Sequence, residues 1–286
     1  MDCSTKGTIG TNFFVTFVPF VFKIVPIMTK QQGWLIGSAV VFFVILYFGC
    51  DTKSKFQKTI ADSSHKSMSA TDPQTLLAAA RKNLSPAQLA EIQPLDVALQ
   101  SPNPTPAQQI EALKKVSGAY HRFGQEAAAA HFAEQVAELD KSEAAWSVAG
   151  ANYFLAIRTV QDKAIRDFCT QHAVAAFQNA ASLNPTHLEH KINLALCYTE
   201  NPLPDDPMKG ILLLRELDTA HPDNTAINVQ LARLAIKTGQ FERAIGRLEK
   251  VLAREPNSKQ ANCLAVEAYT GAGNAAKAAI ATQKCK

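Results

Sequence analysis

Apolar and polar residues follow a helical period along most of the chain after residue 72. In the stretch GQFERAIGRLEKVLAREPNS, residues 239–258, apolar side chains recur every three or four positions between Gly239 and Pro256. This spacing places them on one face of an α-helix. Alanine is frequent in this part of the chain and alternating β-branched residues are scarce. The pattern therefore favours closely packed helices over sheet.

Two short helices are predicted before the most regular part of the chain. Asp72 precedes a proline at the first helical position, and the segments SPAQ (85–88) and TPAQ (105–108) both match the capping box. In that motif a hydroxyl and an amide side chain satisfy free backbone N–H groups at the start of a helix. We expect helices at about 73–83 and 86–99, which form a helical preface over residues 72–104.

Small, aromatic and proline residues recur at one constant interval beyond residue 105. The same interval separates Gly210 from Ala244, Ala244 from Ala278, Ala235 from Tyr269, and Pro222 from Pro256. The pattern resembles the tetratricopeptide repeat, a helix–turn–helix unit with a period of about 34 residues. The resemblance implies an all-α solenoid of about five units over residues 105–286, in which each hairpin covers the apolar face of its neighbour. The stretch 239–258 then contains the second helix of the fourth unit.

Two units depart from the interval. Tyr153 and Ala173 are farther apart than the corresponding positions of the other units. The excess is close to a whole number of helical turns, roughly three turns at about 3.6 residues each. We therefore expect both helices of unit two to be longer, with their faces kept in register. Unit three has extra residues before Asp206 and Pro207, where we expect a helix to restart.

The N-terminal part contains one long apolar run. Residues 33–50 carry no charge, and their length is within the range that spans a bilayer. Trp34 and Tyr47 lie near the two ends, where aromatic rings favour the membrane interface. We predict a transmembrane or signal anchor at 33–50, followed by a polar, flexible linker over 51–71.

The beginning of the chain and the end of the apolar run each allow two interpretations. Residues 1–32 form an N-terminal extension, and Met28 begins a segment typical of a natural start, so 1–27 are either a mis-called start or a second hydrophobic, re-entrant segment. Cys50 is either a lipidated residue, as in a bacterial lipoprotein signal, or the end of an uncleaved anchor. Tyr47, three residues before it, departs from the lipoprotein pattern.

The charges around the apolar run do not decide on which side of the membrane the repeat array lies. Lys53, Lys55 and Lys58 follow the apolar run, and the positive-inside rule taken alone would keep the repeats in the cytoplasm. A short N-terminus followed by an anchor instead favours export of the C-terminal part. We expect a membrane protein, of the bacterial inner membrane, whose repeat array is exported.

Composition and motifs exclude several classes of function. Charged residues make up 19% of the chain and the net charge is +4, with no run of five like charges, so we expect no nucleic-acid partner. No glycine-rich phosphate loop and no GxSxG motif occur, and GAGNAAK at Gly271 falls on a turn between repeat helices. We expect no enzyme activity, no cofactor and no small-molecule substrate.

The cysteines and histidines suggest no reactive site. The six cysteines include no CxxC pair, and we expect four of them to be small buried side chains: Cys169, Cys197, Cys263 and Cys285. His187 and His190 could share a helix face, but the sequence supplies no third ligand, so we expect a solvated helix start and no metal. His172 follows Cys169 by three residues without the other parts of a catalytic constellation.

The family resemblance implies a groove that binds a protein or peptide along the first helices. The candidate groove residues are Phe154, Ile192, Asn193, Leu196, Glu200, Gln230, Arg233 and Lys237. Asn193 matches the central asparagine of a known carboxylate clamp, but Ser147, Ala151, Ala226 and Gln230 stand where the other clamp residues belong, so we expect no clamp. A mixture of apolar and charged positions suits a segment with apolar anchors.

The function predicted from these features is that of a membrane-tethered adaptor or chaperone-like holder. The alternative is an envelope-assembly lipoprotein lipidated at Cys50. Both interpretations rest on the repeat resemblance and on the apolar run at 33–50.

Overall fold

A computed structural model describes residues 72–285. The predicted early start, the anchor at 33–50, the linker at 51–71 and Cys50 all lie outside these residues. Within residues 72–285, no helix combines the length and the apolar character needed to cross a bilayer.

The described residues form twelve α-helices. They are α1 (Pro73–Lys82), α2 (Pro86–Leu99), α3 (Pro106–Arg122), α4 (Glu126–Asp140), α5 (Glu143–Thr159), α6 (Lys163–Leu183), α7 (Leu188–Glu200), α8 (Lys209–Ala220), α9 (Thr225–Lys237), α10 (Phe241–Arg254), α11 (Lys259–Gly271) and α12 (Ala275–Cys285). The only β-type pairing among the described residues is an isolated bridge between Leu203 and Asp206. The expectation of an all-α fold is confirmed for these residues.

Helices α3 to α12 form five consecutive hairpins. The pairs α3–α4, α5–α6, α7–α8, α9–α10 and α11–α12 pack against each other, and they correspond to units one to five of the predicted array. Each unit also contacts the next. For example, α6 contacts α7, and α10 contacts α11. The predicted solenoid is confirmed, and the stretch 239–258 contains α10, the second helix of unit four.

Both predicted capping boxes are formed. The Gln88 N–H donates to Ser85 Oγ over 3.3 Å and the Ser85 N–H donates to Gln88 Oε1 over 2.8 Å. Thr105 and Gln108 make the same two bonds at the start of α3. Such caps satisfy backbone donors that a helix leaves free at its N-terminus, so α2 and α3 begin where the sequence predicted.

The first helices of units two to five lie against one another. Helix α5 contacts α7, α7 contacts α9, and α9 contacts α11. Among the second helices in the described part of the chain, a comparable contact is found only between α4 and α6. The first helices therefore form the closer, inner layer of the array.

Glycines set how closely two helices can approach. A Cβ placed on Gly150 of α5 would lie 2.8 Å from the ring of Phe177 on α6, and one placed on Gly210 of α8 would lie 2.6 Å from the Ala195 carbonyl oxygen on α7. Both distances are shorter than van der Waals contact. As predicted for Gly150 and Ala195, small residues occupy the points where paired helices cross.

The prolines that follow the second helices also fix the start of the next unit. The side chains of Asn228 and Asn262, which occupy equivalent positions in units four and five, donate to the Pro222 and Pro256 carbonyls over 2.9 and 3.1 Å. Lys191 makes the corresponding bond to the Pro185 carbonyl over 3.0 Å. The donor is always six residues after the proline. The same hydrogen bond therefore joins each of three successive junctions to the helix that follows.

Units two and three depart from the regular repeat in different ways. Helices α5 and α6 have 17 and 21 residues, against 13 and 14 for α9 and α10 of unit four. The expected lengthening of unit two is therefore confirmed. In unit three the helix starts at Lys209 and not at Asp206–Pro207. The Asp206 N–H donates to the Leu203 carbonyl, and the Lys209 N–H donates to that of Asp206, so turns occupy these residues first.

The four cysteines within residues 72–285 divide into two pairs. Cys169 and Cys197 are free and buried, as predicted. The expectation was wrong for Cys263 and Cys285, which form a disulfide between α11 and α12 with their Cα atoms 4.7 Å apart. Hairpin folding brings these two helices together and places residues 22 positions apart within bonding distance.

Substituting two helical glycines tests the close packing of α5 on α6. Gly150→Ala is expected to destabilise the protein by about 1–3 kcal/mol, because the buried Phe177 ring must move. Gly246→Ala lies on α10 with no atom within 4 Å of the new Cβ, and it should stabilise by about 0.5–1 kcal/mol through helix propensity. Urea unfolding followed by circular dichroism measures both. If Gly150→Ala and Gly246→Ala changed the free energy of unfolding equally and in the same direction, the close crossing of α5 and α6 would be contradicted.

Candidate functional site

Matching stripes of accessible side chains run along the inner layer of helices. On α7 the stripe is Glu189, Asn193, Leu196 and Glu200; on α9 it is Ala226, Gln230, Arg233 and Lys237; and on α5 it is Ala144, Val148, Ala151 and Leu155. Each set has a spacing of four, three and four residues, which keeps it on one side of a helix. We call these three stripes the inner face. They lie side by side because α5, α7 and α9 contact in sequence.

Most of the predicted groove residues lie on the inner face. Asn193, Leu196, Glu200, Gln230 and Arg233 are half-buried. Lys237 is exposed at the end of α9. Their capacity to bind a partner stays a prediction.

Two predicted residues are placed differently. Phe154 is half-buried beside the stripe of α5, next to Leu155. Ile192 is only 3% exposed, so its assignment to an accessible groove was wrong. Helix α7 contacts α5, α6, α8 and α9, which leaves it a narrow accessible side. Ile192 lies outside that side and belongs to the core.

The α5 stripe is the apolar part of the inner face, and Val148 is its most exposed large residue. The side chain of Val148 is 55% exposed, whereas large apolar residues at neighbouring positions of α5 are half-buried or buried. The sequence prediction missed Val148, although it occupies the same repeat position as Asn193. The signal was therefore present in the repeat alignment, and the apolar character of α5 hid it by making Val148 resemble a core residue.

Charged groups occupy the other end of the inner face. Lys237 Nζ lies 3.8 Å from Glu200 Oε1, which joins the stripes of α9 and α7. Arg233, about one turn before Lys237 on α9, has a buried Nε without a hydrogen-bond partner. A buried guanidinium N–H without an acceptor is costly, so this position favours a ligand that supplies an oxygen atom.

A second polar cluster lies between α4, α5 and α6. His172 Nδ1 is 2.8 Å from Glu134 Oε2, and the Tyr153 hydroxyl donates to the same oxygen over 2.7 Å. The rings of His172 and Phe168 stack with their centroids 4.0 Å apart. His172 is thus engaged by an acid on another helix, and the cluster fills the gap between the long helices of unit two.

Cys169 is unsuited to act as a nucleophile with His172. Its side chain is fully buried, and burial raises the pKa of the thiol to about 12. Since the thiolate is the reactive form, almost none is present at neutral pH. Together with the pairing of His172 to Glu134, this gives the Cys169–His172 pair a structural role.

Alkylation of the native protein tests the inertness of Cys169. Treated with iodoacetamide at pH 8 and mapped by mass spectrometry, the folded full-length chain should remain unmodified at Cys169 and react there only after denaturation in guanidinium. Cys197, equally buried on α7, is the control thiol. Faster native labelling of Cys169 than of Cys197 would contradict this account and indicate an activated thiol.

Comparison with known proteins places part of the array in a family. Residues 205–265 match the tetratricopeptide repeat family, a range that covers all of α8, α9 and α10. No curated protein matches the chain in sequence.

Solved structures of other proteins resemble the chain at low identity. A MamA structure (AMB-1) has 17% identity and a TM-score of 0.35, and the match covers 62% of this chain and 90% of that one. YrrB, described as a TPR protein with an unusual peptide-binding site, has 16% identity and a TM-score of 0.36, with 64% and 91% covered. A second MamA structure has 18% identity and a TM-score of 0.30, with 74% and 89% covered.

The family match and the fold agree on the nature of the array. The matched residues 205–265 lie within a regular series of helical hairpins, and the same hairpins continue on both sides of them. Residues 205–265 therefore match the tetratricopeptide repeat and lie within an all-α array of hairpins.

Proposed function

We propose that the protein is a non-enzymatic adaptor that binds an extended or helical segment of a partner protein along the inner face. The observation that carries this proposal is the continuous set of accessible stripes on α5, α7 and α9. Arrays of this kind offer a long surface made from neighbouring repeats, and such a surface suits a peptide segment.

The composition of the inner face describes the segment it would accept. Val148, Ala151 and Leu155 form an apolar end, and Leu196 continues it on α7. Arg233 and Lys237 supply positive charge on α9, and Arg233 Nε lacks an acceptor. A segment with two apolar side chains followed by a carboxylate or a free carbonyl would satisfy both parts of the surface.

A non-enzymatic role is supported by the state of the chain's polar clusters. Cys169 is buried with a raised thiol pKa, and His172 is paired with Glu134. Both groups pack in the interior of unit two.

Tethering to a membrane is part of the proposal and rests on the sequence of residues 33–50. An uncharged run of this length favours insertion, and the polar residues 51–71 would give the array reach from the surface. Tethering raises the effective concentration of the array near other membrane components. A holder of this kind would keep its partner at the membrane.

Export of the array is supported by the Cys263–Cys285 disulfide. Disulfides persist in oxidising compartments and are rare in the cytosol, where thiols are kept reduced. The pair links the last two described helices, so it would stabilise unit five at the end of the array. We therefore propose that the repeats lie on the oxidising side of the membrane.

Substitution of an inner-face residue tests partner binding. In cells that carry the full-length chain with a photoreactive side chain at Asn193, illumination should capture a partner protein. Val148→Asp is expected to reduce this capture about tenfold, because it removes an apolar anchor worth about 1.5–3 kcal/mol. Adding Arg233→Gln to the Val148→Asp chain should reduce the capture further. Quantified crosslinked product and circular dichroism measure binding and folding separately.

Leu212→Asp is the matched control for that experiment. Leu212 is 53% exposed, close to the 55% of Val148, but it lies on α8, a second helix. It should leave capture unchanged. Equal capture by Val148→Asp, Leu212→Asp and the unaltered chain would rule out the inner face as the binding surface.

The redox state of the cysteines in cells tests export. Cells are quenched in acid, free thiols are blocked with one alkylating reagent after denaturation, and disulfides are then reduced and labelled with a second. Cys263 and Cys285 should carry the second label, whereas the free thiols of Cys169 and Cys197 should carry the first. Detection of all four with the first label would contradict export.

A further inference from the structure

Three side chains with metal-binding atoms meet where α5 and α7 begin. Glu143 Oε1 lies 2.7 Å from His187 Nδ1 and 2.7 Å from His190 Nε2. One ligand atom of each residue lies within 4.8 Å of the others. The third ligand that the sequence did not reveal is thus Glu143, which belongs to the preceding unit.

We propose that Glu143, His187 and His190 bind a divalent transition-metal ion of the Zn²⁺ class. Two imidazole nitrogens and one carboxylate oxygen are a donor set that Zn²⁺ accepts, with a fourth position left for water or another ligand. Imidazole also selects against Mg²⁺ and Ca²⁺, which prefer oxygen donors. The site borders the inner face at Glu189, and metal binding there does not depend on partner binding.

The ligand atoms must adjust their separations to bind an ion. With bonds of about 2.0–2.1 Å to Zn²⁺ in a tetrahedral arrangement, two ligand atoms lie roughly 3.3 Å apart. The Glu143 oxygen must therefore move by about half an ångström from each nitrogen. Glu143 and His187 are 32% and 45% exposed in their side chains, which gives them room to move, while buried His190 stays fixed.

Further polar groups orient two of the three ligands. Asn184 Nδ2 donates to Glu143 Oε2 over 3.1 Å, which leaves Oε1 directed at the two imidazoles. Glu189 Oε2 lies 3.5 Å from Nε2 of His187, on the opposite side of the ring from Nδ1. A carboxylate at the far nitrogen of a ligating histidine is the usual outer partner in metal sites.

His190 is the buried member of the three proposed ligands. His190 is 2% exposed, its Nδ1 is buried without a hydrogen-bond partner, and its Nε2 points at Glu143. Burying a polar ring with one unpaired nitrogen is unfavourable. Burial nevertheless fixes the ring with Nε2 toward Glu143, so one ligand is already in position.

Charge around the site is balanced between opposing effects. Glu143 is the first residue of α5 and His187 caps α7, and the positive ends of these helices oppose a cation. The carboxylates of Glu143 and Glu189 offset that effect.

Metal binding would link unit two to unit three. Glu143 comes from the first helix of one hairpin, and the two histidines come from the first helix of the next. An ion bound to all three joins α5 to α7 at their N-terminal ends, and a ligand that binds only the folded state stabilises it.

Calorimetric titration of the metal-free protein tests the site. The full-length chain is treated with a chelator, dialysed and titrated with Zn²⁺, with Mg²⁺ as the comparison ion. One equivalent of Zn²⁺ should bind with micromolar or tighter affinity, and Mg²⁺ should not bind. His187→Gln and Glu143→Gln should each weaken this equivalent by at least tenfold, and Glu189→Gln should weaken it less. Zn²⁺ should also raise the Tm of the unaltered chain but not that of His187→Gln.

His121→Gln is the matched control because His121 is also exposed and pairs with a glutamate, Glu126, over 2.7 Å. It should leave Zn²⁺ affinity unchanged. Circular dichroism confirms that each variant is folded. The proposal is overturned if Zn²⁺ does not bind, or if its affinity is the same in the unaltered chain, in His187→Gln and in Glu143→Gln.

Discussion

The close approach of paired helices is the constraint on which the rest of the structure depends. Gly150 lies against the Phe177 ring, and Gly210 lies against the Ala195 carbonyl, at separations that leave no space for a Cβ. A hairpin packed this tightly has a fixed relation between its two helices. Hairpins with fixed geometry stack regularly, and regular stacking keeps the stripes of α5, α7 and α9 on one side.

The junctions between units carry that regularity forward. At three successive junctions the helix that follows a proline donates a side-chain hydrogen bond back to the proline carbonyl. Arg247 reinforces the junction of units three and four by pairing with Asp218 over two hydrogen bonds and with Asn228 over a third. Each new first helix therefore starts in the same direction, which is the condition for a continuous inner face.

Local and periodic features were predictable from the sequence. The capping boxes at Ser85 and Thr105, the hairpin interval and the lengthened unit two depend on residues that are close in sequence or repeat at a constant spacing. Even the glycine-rich GAGNAAK was identified as a turn. Gly273 within it has a φ of 75°, a conformation that glycine adopts without strain.

Features that depend on packing between units were not predictable. Ile192 resembles an accessible position in a repeat alignment, yet α7 is covered by four helices and buries it. The pairing of Cys263 with Cys285 depends on the hairpin that joins them, and the contact of Glu143 with His187 and His190 spans more than forty residues. Val148 was missed for the opposite reason, because its apolar side chain suggested a core position.

Distances across the inner layer test the account most directly. Spin labels at Ala144 with Ala226, and at Glu189 with Gln260, each span two steps between neighbouring first helices at exposed, equivalent repeat positions. With helix axes about 8–10 Å apart, pulsed electron paramagnetic resonance should give narrow distributions near roughly 20 Å for both pairs. Broad distributions, or two distances that differ by more than about 10 Å, the spacing of one helix, would contradict a regular array.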